Sequence, residues 1–73
     1  MTEMQQMQPP KISLEAARVN AKIQQREAAE HLGVSAATLR SWENGDTMPD
    51  IDKAMMISDL YKYPLDYIFF GKR

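Results

Sequence analysis

The sequence predicts an all-α domain built from five short helices. Three observations predict it. Apolar residues recur at helical spacing in successive short windows, and those windows are punctuated by helix-capping and helix-stopping residues. No run alternates apolar and polar residues long enough to make a convincing strand.

The first ten residues, MTEMQQMQPP, are rich in Met and Gln and have no period, and Pro9-Pro10 bars a helix from running through them. Residues 1–10 read as a disordered arm. An arm that enters a DNA minor groove would carry arginines, and this one has no Lys or Arg. Residues 11–73 read as the folded domain. Its first helix has Leu14, Ala17 and Ala21 at i, i+3 and i+7, Ser13 as N-cap, and Glu15 where the helix dipole favours a negative charge. A second helix is expected from Gln24 to Leu32, with Ala28, Ala29 and Leu32 inward and Gly33 stopping it in the left-handed conformation. Ser35 caps a third helix from Ala36 to about Glu43, carrying Leu39 and Trp42, and Asn44-Gly45-Asp46 ends it. Asp50 opens a fourth, whose apolar stripe is Ile51, Ala54, Ile57, Leu60 and Tyr61. Pro64 starts a fifth, with Leu65, Ile68 and Phe69.

Composition narrows the function. The chain has 73 residues and 8.4 kDa, which is one small domain. Cysteine is absent, which removes disulfides, thiolate chemistry and Cys-ligated zinc. His31 is the single histidine, and no spacing suggests a nucleophile with an oriented base. No enzyme, cofactor or metal is expected. No stretch approaches the ~20 apolar residues of a membrane span, and no signal peptide is visible, so a soluble, cytoplasmic protein is expected. Nine Lys and Arg against ten Asp and Glu give a net charge of −1 and a pI near 5.7. That counts against a strongly basic nucleic-acid binder.

The informative stretch is Gln24 to Gly45. Two short helices separated by Gly33-Val34-Ser35 make a tight helix–turn–helix, in which the first braces the second and leaves it free for a DNA major groove. The residue types fit. Ala28 and Ala29 are small enough for a close helix crossing, Gly33 accepts a positive φ, Val34 fills the elbow and Leu39 faces the core.

Position by position, QQREAAEHLGVSAATLRSWENG resembles the lambda-repressor-like, Cro/repressor-type (XRE) helix–turn–helix family of phage and prophage regulators. The matching positions run through Leu14, Arg18, Ile23, Gln25, Ala29, Leu32-Gly33-Val34-Ser35, Thr38-Leu39, Trp42-Glu43-Asn44-Gly45, Pro49, Ile57, Leu60, Asp66 and Ile68. Lys22 stands where the family commonly has Gly, Gln24 where it has Thr, and Ser58 where a small Ala packs. The resemblance implies that Gln25 bonds a DNA phosphate from the start of the second helix, with Asn44 as a second clamp. It implies that Ala36, Ala37, Arg40 and Ser41 face base edges with Ser35 and Thr38 nearby, and that Lys22 adds charge beside a phosphate. Arg40 is the strongest reader, because a guanidinium forks onto guanine O6 and N7. The resemblance also implies that Arg18 pairs with Glu43, tying the first helix to the end of the third.

Each position also has an alternative reading. Gln25 can be a water-exposed first-turn residue, Arg40 a solvated charge, and Ala36-Ala37 a reflection of helix propensity. Lys22 and Arg26 can be ordinary surface charges, with Glu30 four residues after Arg26 as its partner. Trp42 reads as core, three residues from Leu39, rather than as a base-stacking platform.

Residues 11–45 carry five basic and four acidic side chains, so the helix–turn–helix half is faintly positive. Phosphate neutralisation drives non-specific affinity, so weak DNA binding by a monomer is expected. A homodimer on a two-fold operator, with half-sites ~34 Å apart, answers that weakness. Tyr67, Ile68, Phe69 and Phe70 are consecutive and cannot all be buried on one helix face; Met55 and Met56 are adjacent too. Met55, Met56, Tyr67, Phe69 and Phe70 are therefore the candidate protein interface, unless a well-covered core surrounds the last helix. Two functions follow: a transcriptional regulator binding double-stranded operator DNA, or an interaction protein that binds and modulates a phage repressor. The first is the leading reading; the near-neutral reading face, the paired alanines and the lack of a second domain in the sequence favour the second more than they would for a typical repressor, and an antitoxin is a third reading.

Overall fold

Three of the helices begin where a side chain takes up a first-turn backbone donor. Ser13 Oγ accepts from Ala16 N–H at 3.0 Å, Ser35 Oγ from Thr38 N–H at 3.0 Å, and Asp50 Oδ1 from Lys53 N–H at 2.9 Å. The computed structural model describes residues 9–71. Among these residues the chain forms four α-helices: α1 (Leu14–Asn20), α2 (Gln25–Leu32), α3 (Ala36–Asn44) and α4 (Ile51–Tyr61). A 3₁₀ turn (Leu65–Tyr67) and two short strands, β1 (Ile12–Ser13) and β2 (Ile68–Phe69), complete it. Most of the expected arm lies outside the described residues; Pro10, at its end, accepts a hydrogen bond through its carbonyl from Tyr63 Oη.

Gln24 is the N-cap of α2 rather than its first residue, and it makes no side-chain capping bond. Helices α2 and α3 both end on a left-handed glycine, Gly33 at φ 73° and Gly45 at φ 82°. Two non-glycine residues, Lys22 (φ 62°) and Lys62 (φ 55°), also adopt that conformation at the ends of α1 and α4.

The core is one cluster of small and branched residues. Leu14, Ala17, Ala28, Ala29, Leu32, Leu39, Trp42, Ile57, Tyr61 and Ile68 are buried together. Ala28, Leu39 and Ile57 are fully covered, and burying a Leu or Ile side chain stabilises by about 1.5–3 kcal/mol. The two small residues Ala28 and Ala29 let α2 pack on both α3 and α4. Lys53 on α4 donates from Nζ to the Leu32 carbonyl at 2.7 Å, which closes the end of α2.

Two expectations are corrected. The fifth helix does not form: after the 3₁₀ turn the backbone extends at Ile68 (φ −113°, ψ 127°). A helix could not bury consecutive apolar neighbours, whereas an extended segment alternates them, with Ile68 buried and Phe69 outward. This segment pairs in parallel with β1 in the register Ile12–Ile68 and Ser13–Phe69, a two-residue bridge beside an otherwise all-α helix–turn–helix fold. Ile51 leaves the expected apolar stripe of α4. It is 65% exposed, because Ala54, Ile57 and Tyr61 carry the inward face three and four residues apart.

Candidate nucleic-acid interface

The turn between α2 and α3 is built by backbone bonds that only a left-handed residue permits. Gly33 N–H donates to Glu30 O at 3.1 Å and Val34 N–H to Ala29 O at 3.0 Å, which turns the chain from α2 into α3 within three residues. Val34 then packs against the core, and Ser35 starts α3. Leu39 and Trp42 anchor α3 from beneath.

With those residues inward, Ala37, Arg40 and Asn44 are exposed on the outer side of α3, at i, i+3 and i+7. Ala36 and Ser41 flank them, partly exposed. The six residues expected at or near base edges therefore do not behave alike. Ser35 Oγ donates to Thr38 Oγ1 at 3.0 Å while accepting the Thr38 N–H, so this pair serves the helix cap. Ser41 Oγ is hydrogen-bonded to Thr47 Oγ1 at 2.8 Å, fixing the loop after α3. Arg40 is left as the long polar side chain on the exposed stripe. Lys22 is exposed in the turn between α1 and α2, three residues before Gln25.

A partly buried charge network joins α1, α2 and α3. Arg18 Nε donates to Glu43 Oε2 at 2.7 Å, and Arg18 Nη2 lies 3.4 Å from Glu43 Oε1. Arg18 Nη1 donates to the Ile23 carbonyl at 2.9 Å. The side chains are 12% and 4% exposed, so this is a largely desolvated pair of the kind that is costly to break. The hydrogen bond that Arg18 donates to the Glu43 carboxylate holds its pKa above its already high ordinary value. Burial pushes the neighbouring Tyr61 hydroxyl up to about 12, with Glu43 adding to the shift and Arg18 opposing it. Tyr61 Oη has no hydrogen-bond partner among the described residues.

Gln25, which the resemblance places against a phosphate, is half-buried rather than a fully water-exposed first-turn residue, and its Nε2 donates to Glu43 Oε1 at 3.0 Å. The sequence carried no sign of this bond, which spans eighteen positions and depends on how α2 crosses α3. Asn44, the neighbour of Glu43, is exposed.

Of the candidate protein-interface residues, Met55, Met56 and Phe69 are exposed, at 55%, 40% and 39%. Phe70 packs against the core and Tyr67 is half-buried, so neither belongs to an open apolar patch. The Lys11 ammonium lies 4.9 Å from the centre of the Phe69 ring, a cation–π contact. His31 is exposed, and among the described residues no group of three or more His, Cys, Asp or Glu is placed to hold a metal ion. No helix among them is long and apolar enough to cross a membrane.

A model of a helix-turn-helix family matches residues 14–68, from the first buried leucine to the buried isoleucine of β2. Neither the curated proteins nor the solved structures contain a match to the chain. The matched span includes the whole of α1 to α4, the Gly33 turn and the Arg18–Glu43 pair. The chain therefore belongs to the XRE-type, lambda-repressor-like helix-turn-helix family of DNA-binding regulators.

Proposed function

We propose that the protein is a sequence-specific transcriptional regulator of the Cro/repressor type, acting as a dimer on a two-fold operator in double-stranded DNA. The exposed stripe Ala37, Arg40 and Asn44 on α3 carries this reading. It is the side of α3 turned away from Leu39 and Trp42, and it combines one forked donor with small neighbours that let the helix approach base edges. The protein acts by binding, not by catalysis. Its charge limits the affinity of one copy, because few cations are available to release counterions from the phosphates.

A second reading is favoured by the outer face of α4, where Ile51 and Met55 are 65% and 55% exposed one helical turn apart. On this reading the protein docks on another regulator, for example a phage repressor, and modulates it.

The deciding measurement is binding to duplex DNA from upstream of its own gene over a salt series, with and without a candidate regulator encoded beside it. Direct binding with a steep salt slope, weakened by Arg40→Ala, supports the operator reading. Absence of binding alone, together with a stable complex with the regulator, selects the second. Light scattering over a concentration series tests the dimer, and a monomer throughout removes it.

A further inference from the structure

We infer that Arg18 and Glu43 are positioning residues for a DNA phosphate contact, because they fix the carboxamide of Gln25. The inference rests on the DNA-binding reading and assigns it an internal part. A carboxylate only accepts hydrogen bonds, so the nitrogen of the Gln25 amide, and not its oxygen, must face Glu43. One N–H of that primary amide is thereby held by Glu43 Oε1, and the second remains for a phosphodiester oxygen. Phosphate is likewise acceptor-only, so the amide bridges two anions through one nitrogen.

Such a bridge needs the inner anion neutralised. Glu43 Oε1 is shared between Gln25 Nε2 at 3.0 Å and Arg18 Nη2 at 3.4 Å, while Oε2 takes the short bond from Arg18 Nε. Arg18 also holds the Ile23 carbonyl, two residues before Gln25. Charge from α1 thus passes through a carboxylate on α3 to an amide at the start of α2. An exposed glutamine would surrender rotamer freedom on meeting a phosphate, whereas this one is half-buried and already restrained.

The test measures affinity for a short duplex in four chains: wild type, Gln25→Ala, the pair replacement Arg18→Met/Glu43→Met, and all three changes together. Replacing both charges by methionine removes the network without leaving a lone buried ion. Gln25→Ala is expected to weaken binding about five- to tenfold in the wild-type background, and less than about twofold in the pair-replaced one. Equal losses in both backgrounds overturn the inference. Should the pair replacement not fold, the side-chain amide signals of Gln25 in the wild-type protein decide. One amide proton displaced from its free-glutamine position and exchange-protected, with its partner shifting on addition of duplex, supports it; both protons at free-glutamine positions with unprotected exchange overturn it. A wild-type chain that binds no duplex at any salt removes the DNA reading and this inference together, whereas binding with additive losses removes the inference alone.

Discussion

Glu43 Oε2 accepts a hydrogen bond from Arg18 Nε at 2.7 Å, and this contact joins α1 to the last turn of α3 across 25 positions of sequence. Removing one partner leaves the other charge buried. Arg18→Met is expected to destabilise the fold by about 3–5 kcal/mol in a denaturant titration, while Arg18→Met/Glu43→Met recovers most of that loss. A single variant within about 0.5 kcal/mol of wild type contradicts the assignment.

Lys22 holds a left-handed backbone (φ 62°) that costs a residue with a Cβ some energy, and glycine adopts it freely. Lys22→Gly is expected to stabilise the domain by about 0.5–1 kcal/mol, net of the greater chain entropy of glycine. If Lys22 meets a phosphate, the same variant lowers the slope of log affinity against log salt by about 1. Thermal melts and a salt series read the two effects separately, and a lowered melting temperature contradicts the strain argument.

Arg40 and Gln25 are expected to fail in different ways. Arg40 is exposed on α3 and holds no part of the core, so Arg40→Ala leaves the melting temperature in place. It reduces discrimination between operator and altered duplexes by about 1–3 kcal/mol. Gln25→Ala weakens binding to all duplexes alike. Competition against single-base variants distinguishes the patterns, and unchanged discrimination in Arg40→Ala removes it as the reader.

Tyr61 provides a pH signature. Its hydroxyl, raised from 10.0 to about 12 by burial, favours the neutral form in the folded state. Its contribution is therefore fully present below about pH 10 and is lost as pH rises toward about 12. Tyr61→Phe removes an unpartnered buried oxygen, so it is expected to be neutral or slightly stabilising at pH 7 and to lessen the alkaline loss. Denaturant midpoints at pH 7 and above pH 10 check this, and an unchanged alkaline loss in Tyr61→Phe contradicts it.

Much of the fold was legible because its signals are local. Ser13, Ser35, Asp50 and Gly33 act within three or four residues of themselves, and each does in the structure what its type allows. Leu39 and Trp42 were legible for the same reason, since helical spacing alone aligns them on one side. Ile51 was misread because its spacing suits either edge of the α4 stripe, and only the packing of α2 against α4 selects Ala54, Ile57 and Tyr61 as inward. The terminal segment was misread for a related reason: a two-residue strand has too little period to recognise, and its partner Ile12 lies at the other end of the domain.

The sequence by itself determined the four helices α1 to α4, the turn between the two that form the helix–turn–helix, and the residues proposed to meet DNA. It also determined a nearly neutral charge balance that limits how strongly one copy can hold phosphate. The tertiary structure decided how those residues are used. It set the serine and threonine hydroxyls of α3 to capping and loop bonds, turned Ile68 into a strand beside Ile12, and brought Gln25 onto the carboxylate that Arg18 neutralises. The physical reason is range: caps and helical stripes are fixed within a few residues, whereas a hydrogen bond between side chains eighteen positions apart exists only once the helices bearing them have packed.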